Sequence, residues 1–482
     1  MKQMKLLFAA TECAPFFKSG GLGDVLGALP KELAKQGHEV RVILPYFVQE
    51  MPDEYKEQLE DVEEFIVKVG WRNTHCGIKQ LDKDGVIYYF IDNLFYFDRP
   101  GFYGYGDDAE RFAFFQLAAV EMMEVVDFIP DIFHVNDWQT AAIPVLLKDK
   151  YHWKIALRDI RTVFTIHNLM FQGIFDQYVL GDLFGIGYDA FHEHGLKYHD
   201  RVNFLKGGLY YSDLVTTVSP SYAEEIQTAE YGMGLHEDLQ KISSKLVGLL
   251  NGIDYDMYDP ETDQSIPATF SIDDLEGKKK NKAVLQEKVG LPVDEEVAIM
   301  GVVTRLDEQK GVQLIIDSLD ELMTYREVQI VLLGTGKPYF EDAFRYYTEK
   351  YPDKFKGIID FDIHLAQLIY AGCDLFLMPS AFEPCGLSQM NSMRYGTLPI
   401  VHEVGGLKDS VIPYHHVTGE GTGFSFYDFD AYTMQSTIDH ALTIYYDYPD
   451  EWANLVKQAM EEDNSWEKAA KAYVEQYKRL AL

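Results

Sequence analysis

Basic charge is scarce in this chain: 43 Lys and Arg stand against 77 Asp and Glu over 482 residues, a net charge of −34. Such a surface repels phosphate backbones and anionic lipid, which excludes nucleic acid and membranes as partners. An anionic ligand would need a local basic pocket, so the few cations in glycine-rich loops gain weight. Cysteine is scarce too. Cys13, Cys76, Cys373 and Cys385 form no CxxC pair, and their spacing fits neither a zinc site nor a disulfide framework. No apolar run reaches the roughly 18 residues that a membrane span needs. The N-terminal Met-Lys-Gln-Met-Lys leads into an apolar run too short for a signal peptide and broken by Thr11 and Glu12. A cytoplasmic protein is expected. Low-complexity tracts and short repeats are missing as well.

What is present is an ordinary globular composition, 47% hydrophobic and 25% charged, in a chain long enough for two large domains. Strand-like apolar runs alternate with helical patterns, which argues for parallel α/β layers. The first half offers strands near Lys5–Ala10, Glu39–Leu44, Gly85–Ile91, Ile132–Val135, Thr162–Ile166 and Leu214–Val218. A fresh unit starts at Val297–Thr304 and continues through Gln329–Leu333, Asp374–Met378 and Leu398–Val401. Residues 251–282 are rich in Asp, Pro and Lys, and the interdomain crossing is expected near Val247–Asp254. The expected architecture is two Rossmann-like, doubly wound domains facing each other across a cleft, residues 1–247 and 248–463. A helix over 464–482 would cross back to the first. Asn464 would cap that helix with Glu467 as its capping-box partner, and Trp466, Ala470, Tyr473, Tyr477 and Leu480 make one apolar stripe. Pro30 falls where the first helix should run, so that helix should kink or restart there.

Lys18-Ser19-Gly20-Gly21-Leu22-Gly23-Asp24 follows the first strand and opens a helix. Three glycines let backbone N–H groups approach a ligand, the helix start adds partial positive charge, and Lys18 adds a full one. Together these would hold a phosphate. The glycines alone would be met by a plain tight turn. As a dinucleotide fingerprint the pattern fails, because Gly27 falls one position late and the second strand ends Ile43-Leu44-Pro45 without an acid.

Further candidates stand at other strand ends. Arg305 and Lys310 lie in the loop after the strand from Val297, where open α/β sheets bind ligands, and could neutralise a diphosphate. Glu383 precedes a helix expected to start near Gly386, whose first amides at Gly386, Leu387 and Ser388 offer a second anion site. Cys385 reads as a buried small residue. His134-Val135-Asn136-Asp137-Trp138 ends one strand and Thr165-Ile166-His167-Asn168 another, so both should face the cleft.

These residues together resemble the bacterial glycogen synthases and plant starch synthases, retaining glucosyltransferases of the two-Rossmann (GT-B) type, over residues 5–477. The motifs that carry the resemblance include Lys18-Ser-Gly-Gly-Leu22, Asp137-Trp138, Thr165-Ile-His-Asn168 and Leu250-Asn-Gly-Ile-Asp254. They continue with Thr304-Arg-Leu306, Gln309-Lys-Gly311, Phe382-Glu-Pro-Cys-Gly-Leu387, Tyr395-Gly-Thr-Leu-Pro399 and Gly405-Gly-Leu407. The resemblance implies ADP-glucose as donor and glycogen or a maltooligosaccharide as acceptor, with no cofactor and no metal. Lys18 and the Gly20–Gly21 backbone would approach the donor's phosphate and glucose. Arg305 and Lys310 would bind the diphosphate, Glu383 and Asn251 the glucose, and Cys385, Gly386, Leu387 and Ser388 the phosphate and sugar. His167 would lie near the reacting carbon, Asp137 at the junction of donor and acceptor, and Asp24 and Tyr339 near the nucleotide. The chain departs from the family pattern at Asn136, where His is usual, at Ala381, where Arg is usual, and near His402. Met390 stands where the wider superfamily carries a second acid, which glycogen synthases of this type also lack.

Alternatives are a UDP-glucose-dependent glucan synthase, a phosphorylase-like enzyme and an inactive glucan-binding protein. The phosphorylase reading lacks a matching cofactor-lysine segment. The inactive reading is opposed by the presence of Lys18, Arg305, Lys310 and Glu383.

Overall fold

Two parallel sheets organise the chain. The computed structural model describes residues 3–481, in two compact units: one takes the chain to Asn251 and again from Trp466, the other is Gly252–Ser465.

The first unit holds β1 (Lys5–Ala9), β2 (Glu39–Pro45), β3 (Glu60–Val69), β4 (Arg72–Lys83), β5 (Val86–Asp92), β6 (Ile132–Asn136) and β7 (Arg161–Ile166). It continues with β8 (Ile174–Phe175), β9 (Lys197–Tyr198), β10 (Arg201–Asn203), β11 (Leu214–Thr217) and β12 (Leu246–Gly248). The main sheet runs β12-β11-β7-β6-β1-β2-β5-β4-β3, parallel except for the antiparallel β5-β4-β3 end, and β8-β10-β9 form a small separate sheet. The central strands are mostly apolar because both faces are covered; β6 is buried along its whole length, His134 and Asn136 included.

The β3–β4 hairpin is absent from the strands expected from sequence. The first half of β3 carries Glu60, Asp61, Glu63 and Glu64 and is exposed, so it shows no buried face for an apolar pattern to mark. It is an edge strand protected by charge.

The second unit holds β13 (Ala298–Val303), β14 (Val328–Leu333), β15 (Phe355–Ile358), β16 (Leu375–Met378), β17 (Leu398–His402) and β18 (Phe424–Phe426), all parallel, in the order β15-β14-β13-β16-β17-β18. That is the doubly wound 3-2-1-4-5-6 order, with its switch point between β13 and β16. In the first unit the direction of winding reverses between β1 and β6. Ligands bind such sheets beyond the carboxyl ends of the strands that flank the switch point. That rule points to four candidate loops, after β1, β6, β13 and β16.

Two expectations about helices are corrected. The helix does not restart at Pro30 but runs on over Gly21–Lys35. Proline cannot donate to the carbonyl four residues back, and Cys13 takes that place, its S–H donating to Leu26 O at 3.2 Å. The C-terminal helix is Trp466–Ala481, and the Asn464–Glu467 capping box is not formed. Asn464 O instead accepts the Ile253 N–H at 2.8 Å, and Glu467 pairs with Lys471 at 2.7 Å. The apolar stripe is where it was expected: Trp466, Ala470, Tyr473 and Tyr477 are buried.

Candidate active site

After β13 the chain turns back over the sheet edge. Asp307 accepts the Lys310 N–H at 3.2 Å and closes a single tight turn, Glu308–Lys310. Gly311 follows at φ +67°, and a Cβ there would lie 1.8 Å from Pro379 O. Only glycine lets this loop touch the end of β16. The contact is sealed by the Ala381 N–H donating to Gln309 O at 2.8 Å. As a result Lys310 Nζ reaches Glu383 Oε2 at 2.7 Å, and Ser380 Oγ donates to the same oxygen at 3.0 Å. His402 Nδ1, 2.6 Å from Ser380 O, backs the loop.

The basic loop and the acidic loop of the sequence are therefore one cluster. The Glu383 side chain is 8% exposed and that of Lys310 18%. Arg305 is 67% exposed, 3.4 Å from Asp307. With Gly386, Leu387 and Ser388 these groups line a cavity of about 230 Å³. Two cations with room beside them suit a diphosphate, and an oriented carboxylate suits sugar hydroxyls. The helix expected near Gly386 begins at Ser388 and has only seven residues. An anion here would rest on the cations and loop amides more than on a helix dipole. Tyr370 O–H donates to Ser388 Oγ at 3.0 Å, and Cys385 is buried. Tyr339 is exposed at the start of the Pro338–Lys350 helix and does not line this cavity.

The loop after β1 is built differently from its sequence reading. The Lys18 stem lies across Gly23, where a Cβ would come within 2.3 Å of Lys18 Cβ, and its Nζ pairs with Asp24 at 2.6 Å. A Cβ at Gly27 would meet Ala14 O at 2.8 Å. The spacing of Gly23 and Gly27 is thus one helical turn of close packing against the 14–18 segment. The amides of Ser19 and Gly20 do not await a ligand: both donate to Glu12 Oε2, at 2.7 and 3.1 Å. Glu12 escaped the sequence reading because a single acid after a strand carries no motif. Asn251 is buried, and its Oδ1 has no hydrogen-bond partner among the described residues.

At the ends of β6 and β7, Asp137 sits at φ +58°, a conformation costly for a non-glycine residue. It is held there by its N–H on Thr165 O at 3.0 Å and by Oδ1 accepting the His167 N–H at 2.8 Å. Burial pushes the Asp137 carboxyl up to about 7; the His167 N–H opposes this and the nearby Glu12 charge adds to it. His167 Nε2 lies 2.9 Å from Asn136 Oδ1, whose amide is oriented by donating to Ala9 O at 3.2 Å. Asn136 thus fills the position where the family often has His with a group that orients His167. Burial lowers the His167 pKa to about 3, so the ring is neutral at pH 7.

His134 is neutral for the same reason, its pKa lowered to about 3 by burial and, second, by His167. Its Nδ1 lies 2.6 Å from Tyr477 Oη and its Nε2 2.6 Å from Thr165 Oγ1. A histidine whose folded pKa is depressed contributes stability that is present above its unfolded pKa, about 6.5, and is lost as pH falls towards the folded value. From pH 7 to pH 5 the wild-type chain should therefore lose about 2 kcal/mol more stability than His134→Gln. Unfolding free energies at the two pH values check this, and parallel losses would contradict it.

Comparison with known proteins shows the family. The profile of the family described as "Starch synthase catalytic domain" matches residues 5–241, and that of "Glycosyl transferases group 1" matches residues 284–472. The chain is 55% identical over 478 residues to a glycogen synthase of Streptococcus mutans and 54% identical over 479 residues to one of Lactococcus lactis, covering 99% of this chain and all of each relative. Among solved structures it is similar to the catalytic domain of starch synthase IV from Arabidopsis thaliana bound to ADP and acarbose, at TM-score 0.91 and 35% identity over the whole of both chains. A sucrose-phosphate synthase from Thermosynechococcus elongatus shares the fold at TM-score 0.63 and 17% identity, over 99% of each chain. Fold and site define a glycosyltransferase of the GT-B class. The chain belongs to the glycogen synthase and starch synthase family. Among the described residues no helix is long and apolar enough to cross a membrane.

Proposed function

We propose that this protein transfers glucose, with retention, from ADP-glucose to the non-reducing 4-OH of an α-1,4-glucan and releases ADP. The observation that carries the reading is the cluster of Lys310, Glu383 and Arg305 around one cavity at the switch point of the second unit. Arg305 and Lys310 would bind the diphosphate and stabilise the charge that grows as the bond from C1 to the phosphate oxygen breaks. Glu383 would accept hydrogen bonds from the glucose. The 4-OH oxygen would bond to C1 on the face the diphosphate leaves, and its proton would pass to a phosphate oxygen of the departing ADP. No carboxylate nucleophile is required in that sequence.

The acceptor has a candidate groove in the first unit, about 590 Å³, floored by Trp138 and bordered by Phe171, Met170 and Tyr198. Aromatic and apolar walls beside Asp137 suit the faces of glucose rings. ADP-glucose is favoured over UDP-glucose because the relative of solved structure holds ADP.

The test is donor choice and acceptor dependence. Release of ADP from ADP-glucose should rise on adding glycogen, and UDP-glucose should be turned over at least about tenfold less efficiently, a difference of ~1.4 kcal/mol. Equal use of both donors would replace ADP-glucose by the broader donor class.

A further inference from the structure

Glu12 has no part in the chemistry described so far, yet it is the most heavily bonded carboxylate in the first unit's site. It is 4% exposed. Four donors converge on it. Oε2 accepts the N–H groups of Ser19 at 2.7 Å and Gly20 at 3.1 Å. Oε1 accepts Ser19 O–H at 2.8 Å and Tyr103 O–H at 2.7 Å. Tyr103 Oη in turn lies 2.7 Å from Thr11 Oγ1. An anion held by successive amides of a glycine-rich turn is how such loops grip phosphate. Here the anion belongs to the protein.

We propose that Glu12 is a positioning residue for the transfer: an internal anion that fixes the 18–21 loop in the shape that presents Lys18. The same contacts close the Ser19 and Gly20 amides to a substrate phosphate. The loop's contribution to a ligand is then Lys18 and Gly21 rather than the Ser19 and Gly20 amides. The rigidity has a second support in the Lys18 stem lying against Gly23 with Nζ on Asp24. The inference rests on the transferase reading for its kinetic consequence only.

Two substitutions separate a clamp from a mere filler of space. Amides can only donate, whereas the two hydroxyls can turn and accept. Glutamine at position 12 can therefore place its oxygen on the amides and its NH₂ on the hydroxyls, satisfying all four partners. Alanine satisfies none.

The test uses the full chain, timing tryptic cleavage of the Lys18–Ser19 bond by mass spectrometry alongside kcat and KM for ADP-glucose at saturating glycogen. Glu12→Ala should be cut at least about tenfold faster and lose at least about tenfold in kcat, as expected when several hydrogen bonds to a charged group are lost. Glu12→Gln should stay within about threefold of wild type in both. Should the alanine variant fail to fold, Ser19→Ala, which removes one hydroxyl from Oε1, should still speed cleavage after Lys18 by about threefold or more. The proposal is overturned if Glu12→Ala keeps wild-type cleavage and kinetics, if a folded Glu12→Gln is as defective as Glu12→Ala, or if Ser19→Ala leaves cleavage unchanged. A wild-type chain inactive on ADP-glucose would refute the transferase reading and leave the cleavage result to decide on the clamp.

Discussion

Glu383→Ala is expected to lower glucosyl transfer by about 10²-fold or more while the chain stays folded. The carboxylate is fixed by Lys310 at 2.7 Å and Ser380 at 3.0 Å. A preorganised group of this kind acts without reorganisation at the moment of reaction, so its loss falls on turnover. Stability should respond less, because Lys310, with 18% of its side chain exposed, can swing its ammonium into water once its partner is gone. The reciprocal change should behave differently. Lys310→Ala leaves a carboxylate whose side chain is 8% exposed without its counter-charge, a loss of about 3–5 kcal/mol when such pairs are fully buried and proportionately less here. Both variants should be nearly inactive, with Lys310→Ala the less stable of the two. Steady-state assays and thermal midpoints of the two proteins check this. Turnover near wild type in a folded Glu383→Ala would remove Glu383 from the mechanism.

The second large effect is expected from removing the C-terminal helix. Truncation after Asp463 takes away Trp466, Tyr473, Val474 and Tyr477, all buried in the first unit. At about 1.5–3 kcal/mol for each large apolar side chain buried, the loss is roughly 6–12 kcal/mol. A whole domain is stable by only about 5–15 kcal/mol, so this helix is part of the fold of the first unit rather than an appendage to it. Truncation also removes Tyr477 Oη from His134 Nδ1, leaving a buried nitrogen unpartnered on the strand that leads to Asp137. The truncated chain should aggregate, or melt many degrees lower, and lose activity. A soluble, fully active product in expression and calorimetry trials would show the helix to be dispensable.

Much of this was legible in the sequence, and the reasons are physical. Buried parallel strands such as β1, β6, β13 and β16 are predominantly apolar runs, and each was located to within a residue or two at either end. The candidate residues were sought from them, since a doubly wound sheet places chemistry beyond strand ends; Asp137 and Arg305 stand just after β6 and β13, and Lys18 and Glu383 in the loops after β1 and β16. Pairing across loops was not legible. Nothing in the spacing of Lys310 and Glu383, 73 residues apart, says that they touch; Gly311 and the register of β13 beside β16 decide it. The β3–β4 hairpin stayed hidden because its charged edge lacks periodicity. Pro30 misled because the compensating donor, Cys13, comes from another segment. Glu12 was invisible because two of its four partners are backbone amides, which every sequence has, and the other two, the Ser19 and Tyr103 hydroxyls, carry no pairing signal in their spacing.

The cavity around Lys310 and Glu383 is proposed to serve glucosyl transfer from a nucleotide-glucose to a glucan. That role is tested most directly by incubating the protein with ADP-glucose labelled in the glucose and with glycogen, then measuring ADP released, label in the polymer, and the anomeric configuration of the new linkage. One ADP is expected for each glucose incorporated, α-linked, with release depending on glycogen. ADP release that ignores glycogen and leaves the label as free glucose, or a β-linked product, would contradict it.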